Sequence, residues 1–218
     1  MAKLKLAVLI SGRGSNLQAL IEACRDPAYP AEIVLVLANE PEAIGLARAK
    51  AAKIPIRVVD HREFSDRPAF EAQLSAAIEA AGARLVCLAG FMRLLGDGFV
   101  RRWRDRLINI HPSLLPAFKG LHTHERALAA GVRLAGCTVH FVRAETDQGP
   151  IIVQAAVPVH PGDDTAALAA RVLVQEHIVY PFAVRLIAEG RVKIVDERVA
   201  IAGVRAPSGA LVNPGPEL

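Results

Sequence analysis

The sequence predicts one α/β domain: a mostly parallel sheet with helices on both faces and antiparallel strands toward the C-terminal end. Two patterns carry that expectation. Short apolar runs of strand length alternate with segments of helical period over the first half of the chain, as strands buried on both faces and joined by crossover helices do. Further on, two β-rich runs are separated only by the loop 143–150, a spacing that suits an antiparallel pair. The 218 residues are 52% hydrophobic and 22% charged, enough to fill a large core, since a domain of this size buries roughly 70% of the surface its unfolded chain exposes.

Taken in order, residues 4–10 form a strand, Gly12-Arg13-Gly14 a turn, and 16–24 a helix whose Leu17, Leu20, Ile21 and Cys24 fall at i, i+3, i+4 and i+7. Residues 33–38 and 56–59 are the second and third strands, with helices at 43–52 and 68–81, the latter ended by Gly82. Residues 84–89 give a fourth strand and 99–103 a helical segment. The fifth strand, 107–110, is stopped by Pro112, which has no N–H for a ladder. The antiparallel pair is 135–142 and 151–159. Asp163 and Asp164 precede a long helix, 165–188, placing carboxylates at the positive end of its dipole. A hairpin follows at 191–195 and 198–201. Residues 1–203 therefore read as a single Rossmann-like domain, and the Pro/Gly-rich stretch 204–218 as a flexible tail.

Composition excludes several classes of function. The 26 basic and 22 acidic residues are interspersed, with a net charge of +4, so no basic arm for nucleic acid is expected and anionic small molecules are the better-suited partners. Cys24, Cys87 and Cys137 form no C-x-x-C pair, which points to reduced thiols and a cytoplasmic protein. The apolar run 6–10 is short for a signal-peptide core. The longest apolar stretch, 33–38, has six residues where a bilayer span needs ~20, so no membrane association is expected.

Two segments carry chemistry. Ser11-Gly12-Arg13-Gly14-Ser15-Asn16 joins the first strand to the first helix, where backbone N–H groups and the helix dipole favour an anion. A dinucleotide fingerprint would need glycine where Leu17 stands, and the second strand ends in Asn39 instead of an acidic ribose ligand. A bound monophosphate is one reading; a tight turn capped by Ser15 or Asn16 is the other. The second segment holds Asn109 and His111, two apart in a strand, on one face at its C-terminal end, where open α/β sheets place ligands. His122 and His124 follow on a loop, His140 lies in the sixth strand, and Gly149 lets the loop bearing Asp147 turn back over the sheet.

No serine sits on a G-x-S-x-G elbow, so a nucleophile would come from the substrate. An amide, an imidazole and a carboxylate suit acyl transfer to an amine. Asn109 would donate to the oxyanion, His111 would stabilise it and move a proton, and Asp147 would orient the ring. The alternatives are a buried histidine satisfied by its neighbour and a metal on His122 and His124 with His111 or His140; the latter lacks a Cys or carboxylate at a usual spacing, and no metal is expected.

With segments 8–19, 88–95, 109–116 (Asn109-Ile-His-Pro-Ser-Leu-Leu-Pro116), 136–142 and 175–177 in this order, the chain resembles the folate-dependent phosphoribosylglycinamide formyltransferases over about residues 4–202. The resemblance implies the formyltransferase fold and formyl transfer from 10-formyltetrahydrofolate, the co-substrate, to 5'-phosphoribosylglycinamide in purine biosynthesis. It implies that Gly14, Ser15 and Asn16 hold the phosphate and Glu176 the ribose hydroxyls. It assigns the folate to Arg67, Met92, Arg93, Leu94, Leu95 and Asn109, and catalysis to Asn109, His111 and Asp147. Without it, Met92, Leu94 and Leu95 would read as core and Arg67 and Arg93 as surface charges. His140 looks like a supporting neighbour or a satisfied core histidine. Leu173 departs from the Lys or Gln that relatives carry, and Lys119 from a proline. The implied partners are two small molecules, with the protein a monomer or homodimer. A methionyl-tRNA formyltransferase would add a C-terminal β domain and a basic patch, and a formyltetrahydrofolate deformylase an N-terminal regulatory domain. A non-catalytic nucleotide-binding module would leave Asn109, His111 and Asp147 without a role.

Overall fold

The computed structural model describes residues 2–205 and 207–214. Its parallel half comprises β1 (Leu4–Ile10), α1 (Ser15–Arg25), β2 (Ala31–Ala38), α2 (Gly45–Ala51), β3 (Ile56–Val58), α3 (Arg67–Ala80), β4 (Leu85–Leu88), α4 (Asp97–Arg102) and β5 (Leu107–His111). Then come α5 (Thr123–Ala129), β6 (Leu134–Phe141), β7 (Ile151–Pro158), α6 (Thr165–Ala188), β8 (Val192–Val195) and β9 (Arg198–Ile201). The main sheet runs β3-β2-β1-β4-β5-β6-β7, and β8 with β9 forms a separate hairpin. The strands β1 to β5 pair in parallel, while β6 pairs antiparallel with both β5 and β7, as their spacing predicts.

β1 is apolar at every position from Leu6 to Ile10 because it serves two cores. Leu6, Val8 and Ile10 pack with Leu17 and Leu20 of α1, Leu46 of α2 and Leu168, Val172 and Tyr180 of α6. Ala7 and Leu9 point the opposite way, against Phe70, Leu74 and Ile78 of α3 and Phe99 of α4, which is the period-two alternation of a strand covered on both faces. α6 starts where the Asp164 carboxylate accepts the Ala167 N–H at 2.7 Å, while Asp163 takes Arg171 through two hydrogen bonds. Farther along α6, the fully buried Tyr180 donates its hydroxyl to the Leu88 carbonyl at 2.9 Å, beside the Ile108 carbonyl at 3.4 Å. Tyr29, also buried, donates to the Pro181 carbonyl at 2.7 Å. Burial pushes both phenols well above the usual tyrosine range.

Differences from the sequence reading are small except at one place. The sequence places His122 and His124 on a loop; in the structure residues 123–129 form α5, with His122 in the left-handed region as its N-cap. Beyond residue 203, 206 and 215–218 lie outside the described residues; within this expected tail, the Asn213 side chain donates to the carbonyls of Arg133 (2.6 Å) and Val159 (3.0 Å). Among the described residues no helix is long and apolar enough to cross a membrane.

Candidate active site

The strand order creates the site. From β1 the chain builds outward through β2 and β3, then returns to β4 on the other side, so the loops after β1 and β4 diverge and a crevice opens at the carboxyl ends of the strands. Ser11 ties the two loops: its N–H donates to the Gly90 carbonyl at 3.0 Å, and its hydroxyl oxygen accepts the Met92 N–H at 2.7 Å while donating to Asn39. A cleft of about 690 Å³ lies there, bounded by the loop 11–16, by Gly90, Ile110 and Pro112, and by Ala166, Ala170, Leu173 and Glu176 of α6.

Gly14, in the left-handed region at φ 67°, is the N-cap of α1, so neither Ser15 nor Asn16 caps the helix, and that alternative is corrected. Gly14 is glycine for a further reason: a Cβ there would lie 2.7 Å from the Gly45 Cα of α2, whose N–H donates to the Gly12 carbonyl at 2.9 Å. The Asn16 amide instead donates to the Glu176 carboxylate at 2.6 Å, leaving its own oxygen buried without a partner. A buried acceptor without a donor is free to take a ligand hydroxyl or N–H.

Burial raises the Glu176 carboxyl above the ordinary 4.5, against the opposing Asn16 hydrogen bond. Its contribution to folding is thus full below the unfolded value and is lost as pH rises through the folded one. Replacing it as Glu176→Gln is expected to raise the thermal midpoint relative to the parent at pH 8, with the difference shrinking toward pH 4. A difference independent of pH in parallel melts would contradict this.

The polar cluster is built from β5 and its neighbours. In the β5–β6 register Asn109 faces His140 and His111 faces Thr138. His140 is 1% exposed, with Nδ1 at 3.0 Å from the Phe141 carbonyl and Nε2 at 3.4 Å from the Asn109 amide nitrogen. A carbonyl only accepts, so Nδ1 carries the proton and Nε2 the lone pair, which turns the Asn109 NH2 group toward it. Burial lowers the His140 pKa, consistent with a neutral ring. His111 is 5% exposed; its Nε2 lies 3.1 Å from the Phe118 carbonyl and its Nδ1 3.4 Å from Asp147 Oδ1. The other Asp147 oxygen accepts the Gly120 N–H at 2.6 Å. Asp147 has φ 50°, an unusual conformation for a non-glycine residue, here pinned from both sides.

Beside this cluster is a smaller cavity of about 130 Å³, walled by Leu88, Phe91, Arg93, Leu94, Leu95, Val142, residues 143–147, and Asn109 and His140 of the cluster itself. Met92 and Leu94 are 66% and 70% exposed, so the core alternative for them is corrected; Leu95 is half-buried against the α3 side. Met92 faces the larger cleft. Arg67 stands apart from the walls of both cavities, beside Gly96 and 3.8 Å from Glu71. Half-buried His124 lines the larger cleft and His122 is exposed. Among the described residues no group of three or more His, Cys, Asp or Glu is arranged to hold a metal ion.

The sequence and fold match known proteins. A family model described as "Formyl transferase" matches residues 4–184. The chain belongs to the formyl transferase family. A crystal structure of glycinamide ribonucleotide transformylase 1 from Symbiobacterium toebii superposes with a TM-score of 0.89 at 47% identity, covering 91% of this chain and 94% of that one. The phosphoribosylglycinamide formyltransferase of Escherichia coli is 43% identical, over 94% of this chain and 96% of its own. The trifunctional purine biosynthetic protein adenosine-3 of Bos taurus is 49% identical over 88% of this chain, which spans only 19% of that longer protein. The formyl transferase match ends within α6, before the β8–β9 hairpin. Reading the sequence missed the ion pairs of Arg143, whose partners Asp105 and Glu197 are 38 and 54 residues away, and no local pattern announces them.

Proposed function

We propose that this chain transfers the formyl group of 10-formyltetrahydrofolate to the amine of 5'-phosphoribosylglycinamide. The observation that carries this is the pair of unlike cavities that draw their walls from consecutive residues at the end of β5, Asn109 for the smaller and Ile110 for the larger. The larger, with Arg13 and a helix N-terminus that no side chain caps, suits a phosphate, and its unsatisfied Asn16 oxygen and Glu176 suit sugar hydroxyls. The smaller, lined by Leu88, Phe91, Leu94, Leu95 and Val142, suits a flat apolar ring system. The named relatives support the same reading.

Chemistry follows from Asn109, His111 and Asp147. As the substrate amine attacks the formyl carbon, the carbonyl oxygen gains negative charge. The Asn109 N–H not turned toward His140 donates to it; one such donor is worth about 3 kcal/mol in comparable sites. Both nitrogens of His111 face acceptors, and a ring that donates from both is the imidazolium, which stabilises an oxyanion and can pass on a proton. Asp147 keeps that ring oriented. Collapse breaks the bond between carbon and folate nitrogen, the proton lost by the amine reaches that nitrogen, and the products are the N-formyl ribonucleotide and tetrahydrofolate. The scheme uses no metal.

The test is a spectrophotometric assay with both small molecules. Formylation of the ribonucleotide, unaffected by a chelator, is the expected result. Release of formate to water alone, or transfer only to charged tRNA, would overturn the assignment in favour of another activity.

A further inference from the structure

The Arg143 side chain is 8% exposed, an unusual place for a guanidinium unless it is paired. Each of its nitrogens meets an oxygen: Nε donates to Glu197, Nη2 to Asp105 at 2.8 Å, and Nη1 to the Val142 carbonyl at 3.1 Å. Glu197 is held in turn by Arg104. It sits in the two-residue turn between β8 and β9, where both Asp196 and Glu197 have positive φ, the conformation a tight hairpin requires. These contacts lower the Glu197 carboxyl below its ordinary range, keeping it charged.

The position of Arg143 matters as much as its partners. It opens the loop 143–150, which walls the smaller cavity and carries Asp147. A Cβ at Gly149 would lie 3.0 Å from the Arg143 Cγ and collide with the Phe141 carbonyl, so the arginine stem packs across the far end of the same loop. One side chain thus closes the neck of the loop, fixed from outside by the hairpin.

We propose that Arg143 and Glu197 are positioning residues: through them the β8–β9 hairpin holds the loop 143–150 so that Asp147 stays against His111. The inference rests on the formyl-transfer reading for its effect on rate. It does not rest on that reading for the geometry. Loss of the clamp frees Asp147 to move away from His111 and from the Gly120 N–H, and a misplacement of about 1 Å at reacting groups costs on the order of 10²-fold in rate.

The experiment compares the full-length protein with Arg143→Met, Arg143→Lys and Glu197→Gln. Turnover, the two KM values and the thermal midpoint are measured together with hydrogen exchange at the Gly120 amide. Expected are a fall in kcat of about 10²-fold for Arg143→Met, a smaller fall for Glu197→Gln, partial rescue by Arg143→Lys, an unchanged KM for the ribonucleotide, and faster exchange at Gly120. Should the parent enzyme form no formyl product, the formyl-transfer reading fails, and Gly120 exchange alone decides the clamp. Unaltered Gly120 exchange in folded Arg143→Met would overturn the proposal. So would a loss of kcat, both KM values and thermal midpoint in step, which is what a general packing role produces.

Discussion

Asn109→Ala, His111→Ala and Asp147→Asn are each expected to cut turnover by about 10²-fold or more while leaving ribonucleotide affinity, measured by calorimetry, near that of the parent. The magnitude follows from removing an oxyanion donor, a proton-moving group or its orienting carboxylate. Asp147→Asn keeps shape and replaces one carboxylate oxygen by NH2. Either the Gly120 N–H or the His111 ring then loses its acceptor, since the two oxygens serve one each. Affinity is spared because the phosphate would sit on the loop 11–16 after β1, and none of the three substituted residues lines that cleft. Because the three groups act as a unit, the double variant His111→Ala/Asp147→Asn is expected to be little slower than His111→Ala alone. Near-normal turnover in all three single variants would remove the catalytic reading.

Gly14→Val is expected to cost about 3 kcal/mol of folding stability, the sum of a left-handed backbone and an overpacked contact. Its Cβ would meet backbone, the Gly45 Cα at 2.7 Å, and not a side chain able to swing away. A bulky residue at Gly14 therefore disturbs the α1–α2 packing together with the anion site. Gly12 separates the two effects: a Cβ there meets nothing within 4 Å, yet the residue lines the cleft. Gly12→Val is expected to fold normally and to raise the KM for the ribonucleotide more than that for the folate. Chemical denaturation of both variants checks the contrast, and a stable Gly14→Val would contradict it.

The sheet was legible because burial on both faces leaves uninterrupted apolar runs, as in residues 6–10 of β1, and the antiparallel turn was legible because 143–150 is too short for a crossover helix. α5 was not. Only Thr123 and Ala127 of its seven residues are buried, so no apolar stripe marks it. Asn109 and His111 could be placed together from strand period alone, whereas their contacts with His140 and Asp147 depend on β6 folding back and on a loop conformation that no local pattern encodes. Met92 and Leu94 show the reverse difficulty: an apolar side chain does not declare whether it faces a core or an open cavity. At Gly14 the sequence displays only the ligand-facing reason, because the second, the approach of α2 at Gly45, comes from 31 residues away.

The chain has two tyrosines, and both phenols are sealed in the interior, each donating to a backbone carbonyl. Neither can ionise while its surroundings remain intact. The absorbance of tyrosinate in alkali then becomes a built-in unfolding signal, rising as one cooperative step with no earlier wave from exposed rings. The position of that step on the pH axis measures how much alkali the fold itself withstands, with no dye and no label attached.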